Sequence, residues 1–329
     1  MRPRLLSSIA ALAVVPTLIV SCGADESDPV DEMGGAVAPG RATVIADGFE
    51  FPTQITGGPG DSILVAQLAG SEDEQAGEVI LFDPTTGMRD VILRDLDKPT
   101  GVAWLDDELW VMVRRGLVKA TWDGDGPAGP LEVMLDNLPF NGRSEGTLTA
   151  IGDGRILYET SGSIADGEVV KGSGVLWAFD PVSNTSAKVA IGVKNAYAHA
   201  MLPDGRVVTT DIGDNVDPQP VEEVNVIGMP GPTNLGWPDC GGDETCPGVA
   251  SPLATFDPRS TPTGVAVFGD DAYVALFVTG QIVRVALTGG ATTIVVDGLE
   301  GPHSLLVYDG RLLVSEHLTG RILELSSIG

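Results

Sequence analysis

Residues 262–275 read PTGVAVFGDDAYVA, and this stretch decides the fold. A proline and two small residues lead into the apolar run Val265 to Phe268, and a Gly-Asp-Asp turn separates it from a second run starting at Ala272. Proline cannot donate to a ladder, so it belongs at a strand start. Two apolar runs around a tight Gly/Asp turn read as a β-hairpin. The phrase recurs as PTQITGGPGDSILVA from Pro52, PTGVAWLDDELWVM from Pro99, SEGTLTAIGDGRILYE from Ser144, YAHAMLPDGRVVTT from Tyr197 and PHSLLVYDGRLLVS from Pro302. Successive copies start 47, 45, 53, 65 and 40 residues apart. A third apolar run follows most copies, as at 78–83, 116–123, 174–180, 281–287 and 321–325, and several continue into a fourth, at 90–96, 132–138 and 292–299. Four-stranded units repeating at this period predict an all-β, six-bladed β-propeller spanning residues 42–329. The last copy has room for only three strands. Thr43-Val-Ile-Ala-Asp before Gly48 matches Thr293-Ile-Val-Val-Asp before Gly298, so an N-terminal strand is expected to complete the last blade and close the ring.

Composition agrees with many short strands. The 329 residues include 43 Gly and 23 Pro, yet 43% are hydrophobic, which argues against disorder. With 19 Lys and Arg against 46 Asp and Glu, the formal charge is −27, which speaks against nucleic acid and against docking on anionic headgroups.

The first residues read as an address. Arg2 and Arg4 precede an apolar run to Val20, the pattern of a secretory signal over residues 1–21. Ile19-Val-Ser-Cys22-Gly resembles a bacterial lipobox, which implies lipidation of Cys22 and a membrane anchor on an exported chain, periplasmic or cell-surface. Residues 22–41 then form an acidic tether without apolar periodicity. Setting Cys22 aside leaves Cys240 and Cys246, which an exporting context favours as a disulfide.

Blade four carries the most distinctive motifs. Gly192-Val-Lys-Asn-Ala-Tyr-Ala-His is followed by Leu202-Pro-Asp-Gly, Thr209-Thr-Asp-Ile-Gly-Asp, Glu223-Val-Asn-Val-Ile and Asn234-Leu-Gly-Trp-Pro. This series resembles the soluble quinoprotein glucose/sorbosone dehydrogenase family. The resemblance implies a pyrroloquinoline quinone (PQQ) cofactor, a calcium ion, and oxidation of a small sugar or alcohol outside the cytoplasm. It implies Lys194, Asn195 and Trp237 as cofactor contacts, and Gly213 and Asp214 on the calcium. The family's general base, a His before the blade-three inner strand, maps to Arg143. A guanidinium stays protonated and cannot take a hydroxyl proton. The family's blade-five Lys and its Arg pair before the last inner strand map near Val278 and Gly301, where this chain has neither.

Other residues invite chemistry of their own. The chain has three His. His199 and His303 fall at the start of inner strands, where each is either a base or metal ligand facing the channel or a polar pore-lining residue. His317 is expected to be exposed. Asp211 with Asp214, Asn215 and Asp217 offers the oxygens that hard cations favour. The run Ser71-Glu-Asp-Glu-Gln reads as a solvated loop.

Three functions follow. One is a PQQ- and calcium-dependent sugar dehydrogenase with His199 or His303 as a substitute base. A second is a non-catalytic propeller that binds a glycan or an envelope protein. The third is a metal-dependent lactonase-like hydrolase using Glu145, Asn195 and Asp211. Fold alone does not choose among them.

Overall fold

The computed structural model describes residues 42–124, 126–141, 145–213, 221–242 and 244–326. Cys22, the signal and the tether, Arg143 and Asp214 lie outside the described residues.

Six sheets follow one another along the chain, each a blade. Blade one runs outward through Pro52–Gly57, Ile63–Gln67, Gly77–Phe82 and Arg89–Leu96. Blades two, five and six repeat this order from Gly101, Pro262 and Pro302. Blade three gains a parallel outer strand, Thr233–Asn234, and a small hairpin, Ile164–Ala165 with Glu168–Val169, between its second and third strands. Blade four ends on Ala254–Phe256, beyond its long insertion. Ala42–Ala46 pairs antiparallel with Arg321–Leu325, Ala42 opposite Leu325, so the expected closing strand is in place.

Both faces of each central strand are covered, which is why these strands read as unbroken apolar runs. In blade one, Ile63 and Val65 point toward blade six, while Leu64 and Ala66 point toward blade two. Each of six apolar clusters bridges two neighbouring blades.

Near the axis the third residue of the repeat phrase sets how closely the inner strands approach. Gly101 and Gly264 have no room for a side chain: an added Cβ would lie 2.7 Å from Leu148 N and 2.6 Å from His303 O. Gln54 occupies the equivalent place in blade one and reaches across the ring. Its Oε1 accepts from Val102 N (2.7 Å) and Leu148 N (3.0 Å), and its Nε2 donates to Leu148 O (2.8 Å). This side chain lines one of two cavities near the axis. One opens where the inner strands begin, and the other lies along their later residues.

Candidate functional site

The upper mouth, at the inner-strand starts, holds a cavity of about 270 Å3 walled by Thr53, Glu72, Asn195, Tyr197, Thr263, Phe277, His303 and His317 among others. His303 follows Pro302 and His317 follows the second strand of the same blade. A carbonyl can only accept, so the 2.7 Å contact of His303 Nδ1 with Thr53 O makes Nδ1 the protonated nitrogen. His303 Nε2 then accepts from the Tyr197 hydroxyl at 3.3 Å. Burial, then the neighbouring His317, pull the His303 pKa down to about 3, so the ring is neutral.

His317 repeats this arrangement. Its Nδ1 donates to Pro52 O at 3.1 Å, which leaves Nε2 with its lone pair and no hydrogen bond to a described residue. The two imidazoles stack at 5.0 Å with planes 24° apart, and Phe277 sets its edge against both at 5.8 Å. Phe51 covers His317 from outside at 5.4 Å. The expectation of an exposed His317 is therefore corrected: it is half-buried in the mouth, and burial lowers its pKa, against the pull of Pro52 O and the Glu72 carboxylate.

His199 goes elsewhere. Its ring lines the lower cavity, also about 270 Å3, with Gln54, Thr149 and Met201. Thr149 spends its hydroxyl proton on His199 O (2.8 Å), so it accepts from Nδ1 (2.8 Å). Burial lowers its pKa to about 4. The two candidate histidines thus serve separate cavities.

Blade three supplies a buried acid pair. Ser161 joins them: its N–H donates to Glu145 Oε2 (3.2 Å) and its hydroxyl to Glu159 Oε1 (2.8 Å). Glu145 Oε1 and Glu159 Oε2 have no hydrogen-bond partner among the described residues. Burial raises the Glu145 pKa to about 8, with Ser161, Arg115 and Lys98 opposing. Burial, then the Glu145 charge, raise Glu159 well above the carboxylate range. The pair holds a proton at neutral pH.

A neighbouring cavity of about 280 Å3 is walled by Lys194, Asp211, Gly213, Glu223, Trp237, Asp239 and Glu244 among others. Asp211 accepts from the backbone N–H groups of Asn195 (2.6 Å) and Lys194 (3.0 Å), and burial, then Glu223, raise its pKa. Lys194 Nζ donates to Gly162 O at 2.9 Å and sits 5.1 Å over the Trp237 ring. Trp237 packs on Gly162, where a Cβ would meet its ring at 2.7 Å. The Cys240–Cys246 disulfide, present as expected, shapes the loop behind Trp237. Gly213 N–H donates to Glu222 Oε2 at 2.7 Å. Among the described residues, the three side chains with metal-binding atoms that converge are Cys240, Glu244 and Cys246, two of them joined in the disulfide.

No protein-family model matches the chain, and no curated protein matches it in sequence. Solved structures match it in three dimensions. The PQQ-bound aldose sugar dehydrogenase of Streptomyces coelicolor superposes with a TM-score of 0.72 at 18% identity, over 88% of this chain and 99% of that one. The chain has the fold of a soluble aldose sugar dehydrogenase. The apo aldose sugar dehydrogenase of Escherichia coli gives 0.65 at 14% identity, over 87% and 99%. A propeller provisionally described as a gluconolactonase gives 0.58 at 13%, over 88% and 92%, so the same fold also serves a hydrolase description.

The described lining does not fit PQQ. PQQ is a planar tricarboxylate, and its carboxylates need open cations. The mouth beside the His pair is lined by Glu72 and, among the described residues, by no Lys or Arg. The cavity beside Trp237 offers Lys194 against Asp211, Glu223, Asp239 and Glu244. The Lys194 ammonium already covers the Trp237 face. Lys98 is tied to Glu72, and Arg114 to Asp97 and the Glu72 carbonyl.

Proposed function

We propose that this chain is an exported, lipid-anchored propeller whose upper mouth binds a small neutral polyhydroxy compound, a sugar or sugar alcohol. The observation that supports it best is the composition of the mouth. Aromatic rings of Tyr197, Phe277, His303 and His317 form one wall, and Thr53, Thr263 and Asn195 line the same cavity. A pyranose has the matching halves, a C–H face for aromatic rings and hydroxyls for polar side chains. The sugar dehydrogenases of the same fold support a sugar ligand. Lys194 and Trp237 then act as walls of the neighbouring cavity, and Asn195 as a wall of the mouth, rather than as a quinone cradle. Asp211 is satisfied by the backbone amides of Lys194 and Asn195.

The test is calorimetric titration of D-glucose, D-galactose and D-mannitol into residues 42–329, with Phe277→Ala beside the parent. Saturable binding by at least one, weakened about tenfold or more in Phe277→Ala, is expected. No saturable binding, or binding untouched by the substitution, overturns the reading. Lipid anchoring is checked separately: Cys22→Ala should release the full chain from the membrane fraction.

A further inference from the structure

His303 has both nitrogens engaged, and His199 Nε2 is buried without a partner among the described residues. His317 differs from both. Its Nδ1–H is fixed on Pro52 O, and Nε2 makes no hydrogen bond to a described residue, on a half-buried ring that lines the mouth. Rings on three sides, Phe51, Phe277 and His303, hold the imidazole plane in place. A fixed lone pair beside apolar ring faces is a directional acceptor for a single hydroxyl donor.

We propose that His317 Nε2 is the anchor of the upper mouth, accepting a hydrogen bond from one ring hydroxyl of the bound sugar while Phe277 packs on the adjoining C–H face. This rests on the sugar-binding reading above and assigns the ligand-hydroxyl acceptor to blade six. His303 is a positioning residue: its ring stacks on His317 and is itself locked by Thr53 O and Tyr197.

Two variants separate hydrogen bonding from packing. His317→Phe keeps the ring against Phe51, Phe277 and His303 but removes the acceptor. His317→Gln restores an acceptor oxygen. With the tightest of the three sugars as probe, His317→Phe should lose about tenfold or more in affinity, and His317→Gln should stay within about threefold of the parent. Sugar binding that is unchanged in His317→Phe overturns the assignment and leaves the sugar-binding reading standing. A second readout needs no sugar. Diethyl pyrocarbonate acylates unprotonated, accessible imidazole nitrogen, so brief treatment at neutral pH should modify His317 before His199 or His303. Peptide mass mapping that finds His317 the slowest of the three, or unmodified, overturns the assignment even if no sugar binds.

Discussion

Glu145 and Glu159 show what buried carboxyl protons do to stability. The unfolded Glu145 carboxyl loses its proton near 4.5, whereas the folded one keeps it to about 8. Between these limits the folded state binds more protons than the unfolded chain, so stability falls as pH rises, and the loss is complete above the upper limit. Glu145→Gln keeps the shape and removes the titration. It should raise stability at about pH 8 by roughly 1–3 kcal/mol and flatten the decline from about pH 5, read from urea melts across that range. An unchanged slope would show that the pair is not the titrating element. Gln54 makes a second prediction. Gln54→Ala strands two backbone N–H groups and one carbonyl near the axis, so a loss of roughly 2–4 kcal/mol is expected in the same melts. Neither role is legible in the sequence. The partners of Gln54 lie up to 94 residues away, and His317 meets Pro52 across 265. A reading of local phrases places each residue on its strand and does not see what the ring brings beside it.

At the scale of elements the sequence is far more informative, because strand pairing inside a blade is between neighbours in the chain. The repeat phrase with its Gly/Asp turn, and the apolar third strand that follows five of its copies, fix five blades nearly residue for residue, from Ile63–Gln67 to Arg321–Leu325. The outer strand of blade four, Ala254–Phe256, escapes because three residues after a long insertion carry no period. The closing strand is legible only through its likeness to Thr293–Asp297, and its weight is testable. Removing residues 1–47 would uncover the edge of Arg321–Leu325 and expose the apolar cluster that Ala46 and Phe49 share with blade one. Such an edge invites intermolecular pairing. The truncated chain is expected to melt at least about 5 °C lower and to aggregate on heating, measured by calorimetry and light scattering. An unchanged midpoint would mean that the ring holds without its clasp. The Cys240–Cys246 loop is a smaller device. Cys240→Ser with Cys246→Ser should cost about 2 kcal/mol at most, and its main mark should be a changed Trp237 fluorescence.

Across the whole molecule, charge decides which ligands the mouth accepts. A chain of net −27 surrounds its cavities with negative potential, and the mouth adds Glu72 while the cavity beside it adds Glu223, Asp239 and Glu244. Low-dielectric walls concentrate such a field, so an anionic ligand meets a barrier that its neutral analogue does not. D-glucuronate differs from D-glucose by one carboxylate in place of a primary alcohol, which makes the pair a direct probe. Glucuronate is expected to bind at least about tenfold more weakly at low salt, and the gap should narrow toward 0.5 M salt as the Debye length falls to a few ångströms. PQQ carries three carboxylates and should meet the same barrier more steeply. Titration of PQQ with and without calcium, followed by its absorbance and by the unfolding midpoint, should show no saturable binding. Tight, calcium-dependent PQQ binding would mean that cations outside the described lining, Arg143 first among them, complete a quinone site. The fold shared with the sugar dehydrogenases would then extend to their cofactor, and the mouth at His317 would be its substrate side.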